Sequence, residues 1–244
     1  MNKRNFLIIF LAAVAISALS SCEKKYIIDV AQTCPTCAQV KFVNGDPDPA
    51  SSFQFFINNQ KVTGNALAFS GLFPGTVEYA AIPSGNVLVN VEVMNKDSTF
   101  NSVASGNVNL EAGKRYGLIW SGTAGKDPVI VIPNNDQPTD SGYIMANFVN
   151  LIKDNQTVDV LNSKGNIIFG AVPYMGVKDY VKLPASDTYT IQETGTNLHL
   201  YTAKLGLSQT RNYTWFATGL KYDTTSKSKT HIILDYYTNG YPKP

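Results

Sequence analysis

From about Ala38 onward the chain alternates apolar and polar positions in short runs, with a period of two. The clearest case is Val87, Val89, Val91 and Val93, with Leu88, Asn90 and Glu92 between them. Successive side chains of an extended strand point to opposite faces, so this spacing predicts a strand with one buried face and does not fit the stripe of a helix. Similar runs of β-branched and aromatic residues, each broken by Gly, Pro, Asn or Asp, fill the rest of the chain, and no amphipathic helical pattern competes. The pattern predicts an all-β protein of the sandwich or barrel kind.

The same pattern is written twice, a feature that decides the organisation of the chain. Phe42-Val43-Asn44 returns as Phe148-Val149-Asn150; Gly75, Tyr79 and Pro83 return at equal spacing as Gly176, Tyr180 and Pro184; Leu110, Arg115-Tyr116 and Gly122 return as Leu207, Asn212-Tyr213 and Gly219. Each unit has about the size of an immunoglobulin-like sandwich, roughly 100 residues. The expected organisation is a signal peptide over 1–21, a tether over 22–37, β-sandwich domains over 38–133 and 142–237, a linker over 134–141 and a tail over 238–244. The linker is polar and bounded or interrupted by Pro133 and Pro138, which donate no ladder hydrogen bond. It reads as a hinge between two immunoglobulin-like domains that fold independently.

The N-terminal residues add an anchor. Met1-Asn2-Lys3-Arg4 precedes an apolar run from Phe6 to Leu19, 14 residues long, where a spanning helix needs about 20. A positive start and a short apolar run make a signal peptide. Leu19-Ser20-Ser21-Cys22 resembles a bacterial lipobox, which implies that the thiol of Cys22 receives a diacylglycerol and that acyl chains such as palmitate hold the mature protein on a membrane. The residues after it, Glu23-Lys24-Lys25, are not a strongly acidic tract, so the leaflet and the facing stay open.

Charge removes one class of partner. Lys and Arg number 20 and Asp and Glu 18; without Lys3 and Arg4 the mature chain carries 18 of each and is formally neutral. Nucleic-acid affinity rests on a basic surplus or stripe, and Lys221, Lys227 and Lys229 read as a solvated loop instead.

Candidate chemistry is sparse. His199 and His231 are the two histidines, and no hydrolase, zinc-protease or phosphate-loop motif accompanies them. Asp46-Pro47-Asp48 offers two carboxylates of the kind that bind Ca²⁺, though a full site takes about six to eight oxygens; a Pro-shaped turn whose carboxylates accept backbone N–H groups is the preferred reading. Trp120 and Trp215 are candidate binding aromatics, yet each shares a strand face with apolar neighbours, Tyr116 and Leu118 or Tyr213 and Ala217, which points to core. Cys34-Pro35-Thr36-Cys37 lies outside any βαβ pattern and in an exported chain, so a disulfide is expected, with free thiols or bound metal as alternatives. No cofactor is expected, and no catalytic residue.

Several of these segments carry a family resemblance. Phe42 to Pro49, Phe53 to Asn59, Ile82-Pro83-Ser84-Gly85 and Val108 to Tyr116 resemble the uncharacterised β-sandwich domain named domain of unknown function 4397, common in envelope lipoproteins of the Bacteroidota. The second repeat matches partially, since Leu151-Ile152-Lys153-Asp154 lacks the Asp-Pro element and Leu207-Ser208-Gln209-Thr210 replaces Leu-Glu-Ala-Gly. The resemblance implies two tandem copies of a sandwich and an envelope address, and transfers no catalytic residue. The expectation is a lipid-anchored cell-envelope protein of the outer membrane with two non-catalytic binding or spacer modules, partnered by a glycan or an envelope protein. The alternative is a carbohydrate-binding or glycan-acting accessory protein.

Overall fold

The computed structural model describes residues 34–240, apart from 49–50, 96, 98, 123, 136, 138, 155–156, 222 and 224–229. The segment expected to be a signal peptide, Cys22, Lys227, Lys229 and the last four residues lie outside the described residues.

The chain is all-β. The N-terminal half contains β1 (Cys37–Asn44), β2 (Phe53–Ile57), β3 (Gln60–Lys61), β4 (Leu72–Phe73), β5 (Ala80–Pro83), β6 (Gly85–Met94), β7 (Phe100–Leu110), β8 (Arg115–Trp120) and β9 (Ile130–Pro133). The C-terminal half contains β10 (Tyr143–Lys153), β11 (Thr157–Leu161), β12 (Ile167–Pro173), β13 (Val177–Pro184), β14 (Thr188–Glu193), β15 (His199–Lys204), β16 (Asn212–Leu220) and β17 (Ile233–Gly240). Residues 238–240, read from the sequence as tail, therefore continue β17, and Thr238 and Asn239 are buried there.

Each half is a pair of sheets. In the first, β4-β1-β8-β9, with β5 also on β1, lies over β3-β2-β6-β7; in the second, β13-β10-β16-β17 lies over β12-β11-β14-β15. The strand order recurs, including one parallel pair in each half, β1 with β8 and β10 with β16. Val40 pairs with Tyr116 in the first, and Ala146 with Tyr213 in the second. The register thus superposes the repeated residues of the sequence.

The repeated residues have structural reasons. Asn44 is fully buried, donates from Nδ2 to the Leu67 carbonyl at 2.9 Å and accepts the amide of Asp46 at 2.9 Å. Asn150 does the same with the Val172 carbonyl and the amide of Ile152, at 3.0 and 3.1 Å. A buried amide side chain thus meets a backbone acceptor and a backbone donor, at the end of β1 for Asn44 and within β10 for Asn150. Tyr116 accepts the amide of Glu111 and Tyr213 that of Ser208, each five residues upstream, a tyrosine corner in each half. Gly219 adopts φ +133°, and a Cβ there would meet the backbone of Ile232 at 2.6 Å; at Gly122 it would meet the Cβ of Asp127 at 2.6 Å.

Three apolar layers result from four sheets. Val40, Phe42, Leu118 and Trp120 pack against Phe53, Phe55, Val87, Val89 and Val91 within the first half. Phe148, Tyr213 and Trp215 pack against Val158, Val160, Phe169, Tyr189 and Ile191 within the second. The third layer joins the halves: Val43, Ile119, Ile130 and Ile132 meet Val149, Leu151, Phe216 and Tyr237. The sheets containing β1 and β10 therefore lie face to face, which explains why β1, β8, β10 and β16 are buried along almost their whole lengths, whereas β6 alternates as its sequence predicts.

Candidate functional site

The junction between the halves is where buried polar chemistry collects. Its apolar part is built from equivalent positions: Val43 with Val149, Ile119 with Phe216 and Ile132 with Tyr237 occupy matching places in the two registers. Toward the end where β1 begins, the layer turns polar. Lys41 projects from β1 into it with no exposed surface. Its Nζ donates to the Gly75 carbonyl and lies 4.8 Å from the Tyr79 ring and 5.6 Å from the Tyr237 ring, the latter contributed by the other half. Burial lowers the Lys41 amine to about 7; Glu78 opposes that shift through space and Arg115 adds to it. Burial also raises Tyr79, Tyr180 and Tyr237 above the ordinary phenol range.

The segment read as a hinge is tied into this layer. Asn134 donates from Nδ2 to the Tyr79 hydroxyl at 2.9 Å, and its Oδ1 accepts from Tyr237 at 3.2 Å and Thr214 at 3.3 Å. The amide of Asn135 donates to the Tyr180 hydroxyl at 3.1 Å, and Asn212 donates to the carbonyls of Asn135, at 3.1 Å, and Gln137. The polar residues that mark a linker in the sequence serve here as donors and acceptors. Further bonds cross directly: Arg115 to the Asn239 carbonyl at 2.9 Å, the Thr238 amide to the Thr76 carbonyl at 3.0 Å, and Lys153 to Asp46 at 2.8 Å.

The residues singled out in the sequence are dispersed. Asp46 is committed twice, with Oδ2 on Lys153 and Oδ1 accepting the Asp48 amide at 3.0 Å, while Asp48 accepts the Ser51 hydroxyl at 2.6 Å. They form a turn, and among the described residues no three His, Cys, Asp or Glu gather in a group able to hold a metal ion. Trp120 and Trp215 are 1 % and 0 % exposed, edge-on to Phe53 at 6.1 Å and to Tyr189 at 4.6 Å. Both lie on the strand side they share with Leu118 or Ala217, which is the core side, so the core reading describes them and the alternative of exposed binding aromatics does not. Cys34 and Cys37 are disulfide-bonded at the entry to β1. His199 is exposed on β15, and His231 lies in the bend before β17.

A cleft of about 540 Å³ opens beside the linker, bordered by Asn109, Glu111, Lys114, Arg115, Tyr116 and Asn134 among others. Its guanidinium is already engaged, with Nε of Arg115 on Gln39 at 2.8 Å and the group 5.3 Å from the Tyr79 ring. Sequence reasoning did not find the junction. Its signal was the absence of alternation in Tyr116 to Trp120 and Ile144 to Ile152, runs apolar on both faces.

A family model, described as the domain of unknown function DUF4397, matches residues 38–161. The chain belongs to that family. The match runs through the first sandwich and the linker and ends in β11. No curated protein matches the chain. Among solved structures it is similar to CBMbc, a family 26 carbohydrate-binding module of Eubacterium rectale Amy13K crystallised with maltoheptaose, at 9 % identity over 84 % of this chain and 98 % of that one, TM-score 0.25. It is likewise similar to a candidate cell adhesion protein of Bacteroides fragilis NCTC 9343, at 8 % identity over 85 % and 99 %, TM-score 0.23. Both likenesses are too slight to transfer a partner.

Proposed function

We propose that this chain is a lipid-anchored, non-catalytic protein of a bacterial cell envelope, whose two sandwiches act together as one binding platform for a glycan or an envelope protein. The observation that carries the reading is the face-to-face junction. Sheets pack about 10 Å apart and a strand rises about 3.3 Å per residue, so four stacked sheets span about 30 Å and the longest strands about 36 Å. The second sandwich adds breadth instead of reach, which suits a platform better than a spacer. The repeated residues support the non-catalytic part, since the turn asparagines, corner tyrosines and junction tyrosines are all absorbed by folding and docking. A glycan-binding version of this function needs a surface other than Trp120 and Trp215.

Two measurements test the reading. Cells expressing the native chain or Cys22→Ser are fractionated after labelling with a fatty-acid analogue; the native chain is expected in membranes and labelled, the variant unlabelled and released. Retention and labelling of the variant would overturn the anchor. Residues 34–240 are then applied to a glycan array and cross-linked on intact envelopes; reproducible capture of one glycan or one envelope protein supports the platform, and turnover of a glycan substrate refutes the non-catalytic assignment.

A further inference from the structure

We propose that Lys41 is a proton-operated latch between the two sandwiches, whose junction closes on the neutral amine and loosens when the amine is protonated. The geometry sets this up. Lys41 sits fully buried in the layer between the sheets of β1 and β10, with a Tyr ring from each half over its amine and a backbone carbonyl as its acceptor. Among the described residues it forms no ion pair. An ammonium ion there has the two ring faces, the Gly75 carbonyl and Glu78 acting through space to set against its lost hydration, but no ion-paired carboxylate among the described residues, and burial outweighs them in favour of the neutral form.

The matching position in the C-terminal half is Asn147, also buried. The fold thus accepts a neutral side chain there, and the amine is not needed to build the sheet. The charged and titratable groups around Lys41 are Glu78 and Tyr79 from the segment before β5, Arg115 on β8, and Tyr237 on β17, with Tyr180 of β13 bonded to Asn239 behind them. The three phenols are pushed upward by burial, away from neutrality. Lys41 is the group that titrates at the closed junction near neutrality.

The sign follows from linkage. An opened junction returns Lys41 to water, where an amine titrates near about 10.4, against about 7 when closed. Between those values the open form binds a proton that the closed form lacks, so the junction tightens as pH rises from 7 toward 10; below 7 both forms carry the proton and the dependence fades.

The test is hydrogen exchange on the full mature chain at pH 6, 7, 8 and 9, corrected for intrinsic rates, followed in peptides from β1 and β17. Protection is expected to rise about fifty-fold from pH 7 to pH 9 and to change little from pH 6 to pH 7. Lys41→Met and Lys41→Gln should both remove the rise, with folding checked by circular dichroism. An unchanged rise in a folded variant, or a flat profile in the native chain, overturns the latch; should neither variant fold, the native profile alone decides.

Discussion

At the scale of single residues, the repeat is a record of backbone needs. Asn44 and Asn150 each satisfy a carbonyl and an amide that would otherwise be buried without partners. Removing the side chain exposes the full desolvation penalty of those groups, about 1–3 kcal/mol for each one stranded. Asn150→Ala should therefore lower stability in urea by a few kcal/mol, and Asn150→Asp, which keeps the acceptor for Ile152 but sets a buried carboxylate against the Val172 carbonyl, should not recover it; an unchanged urea midpoint in Asn150→Ala would mean that these bonds carry no weight. The sequence displayed these residues as recurrent but could not reveal why, because each carbonyl partner, Leu67 or Val172, lies more than twenty residues away along a path no local pattern encodes. The aromatic reading fared differently. Trp120 and Trp215 could be placed on the core face from their strand neighbours alone, since a period of two is a local property.

At the scale of elements, alternation predicted the strands that face water on one side and gave no warning about the others. Val87, Val89 and Val91 are buried in β6 while Leu88, Asn90 and Glu92 are partly exposed, as the period requires. In β8, Tyr116, Leu118 and Trp120 enter one core and Ile119 enters the junction, so both faces are apolar. A strand covered on both sides reads as a continuous hydrophobic run, and that run is ambiguous in sequence because it names no partner sheet. The Cys34–Cys37 bridge belongs to this scale too. It joins the incoming chain to the first residue of β1, whose carbonyl accepts the Gly113 amide at 2.8 Å. A loop this short removes little entropy from the unfolded chain. Cys34→Ser with Cys37→Ser should leave the thermal midpoint within a few degrees of native; a large drop would show that the bridge supports β1 itself.

At the scale of the whole molecule, the polar linker promised two independent bodies and the third apolar layer joins them. Each half keeps its own core, so residues 34–133 and 142–244 expressed alone should still give β-type circular dichroism. Each would expose a sheet face bearing Val43, Ile119 and Ile132 or Val149, Leu151 and Phe216, larger apolar cover than a solitary domain tolerates. The isolated halves should therefore melt below the full chain and self-associate on size-exclusion columns, and mixing them should restore a one-to-one complex; monomeric halves as stable as the full chain would contradict the layer. A different consequence concerns force. β1 carries the tether and has neighbours on both sides, β4 and β5 on one edge and parallel β8 on the other. Tension applied through the N-terminal end of β1 would run along that strand and load its flanking hydrogen bonds together in shear, so the ladder would meet the force all at once and not be peeled open one bond at a time.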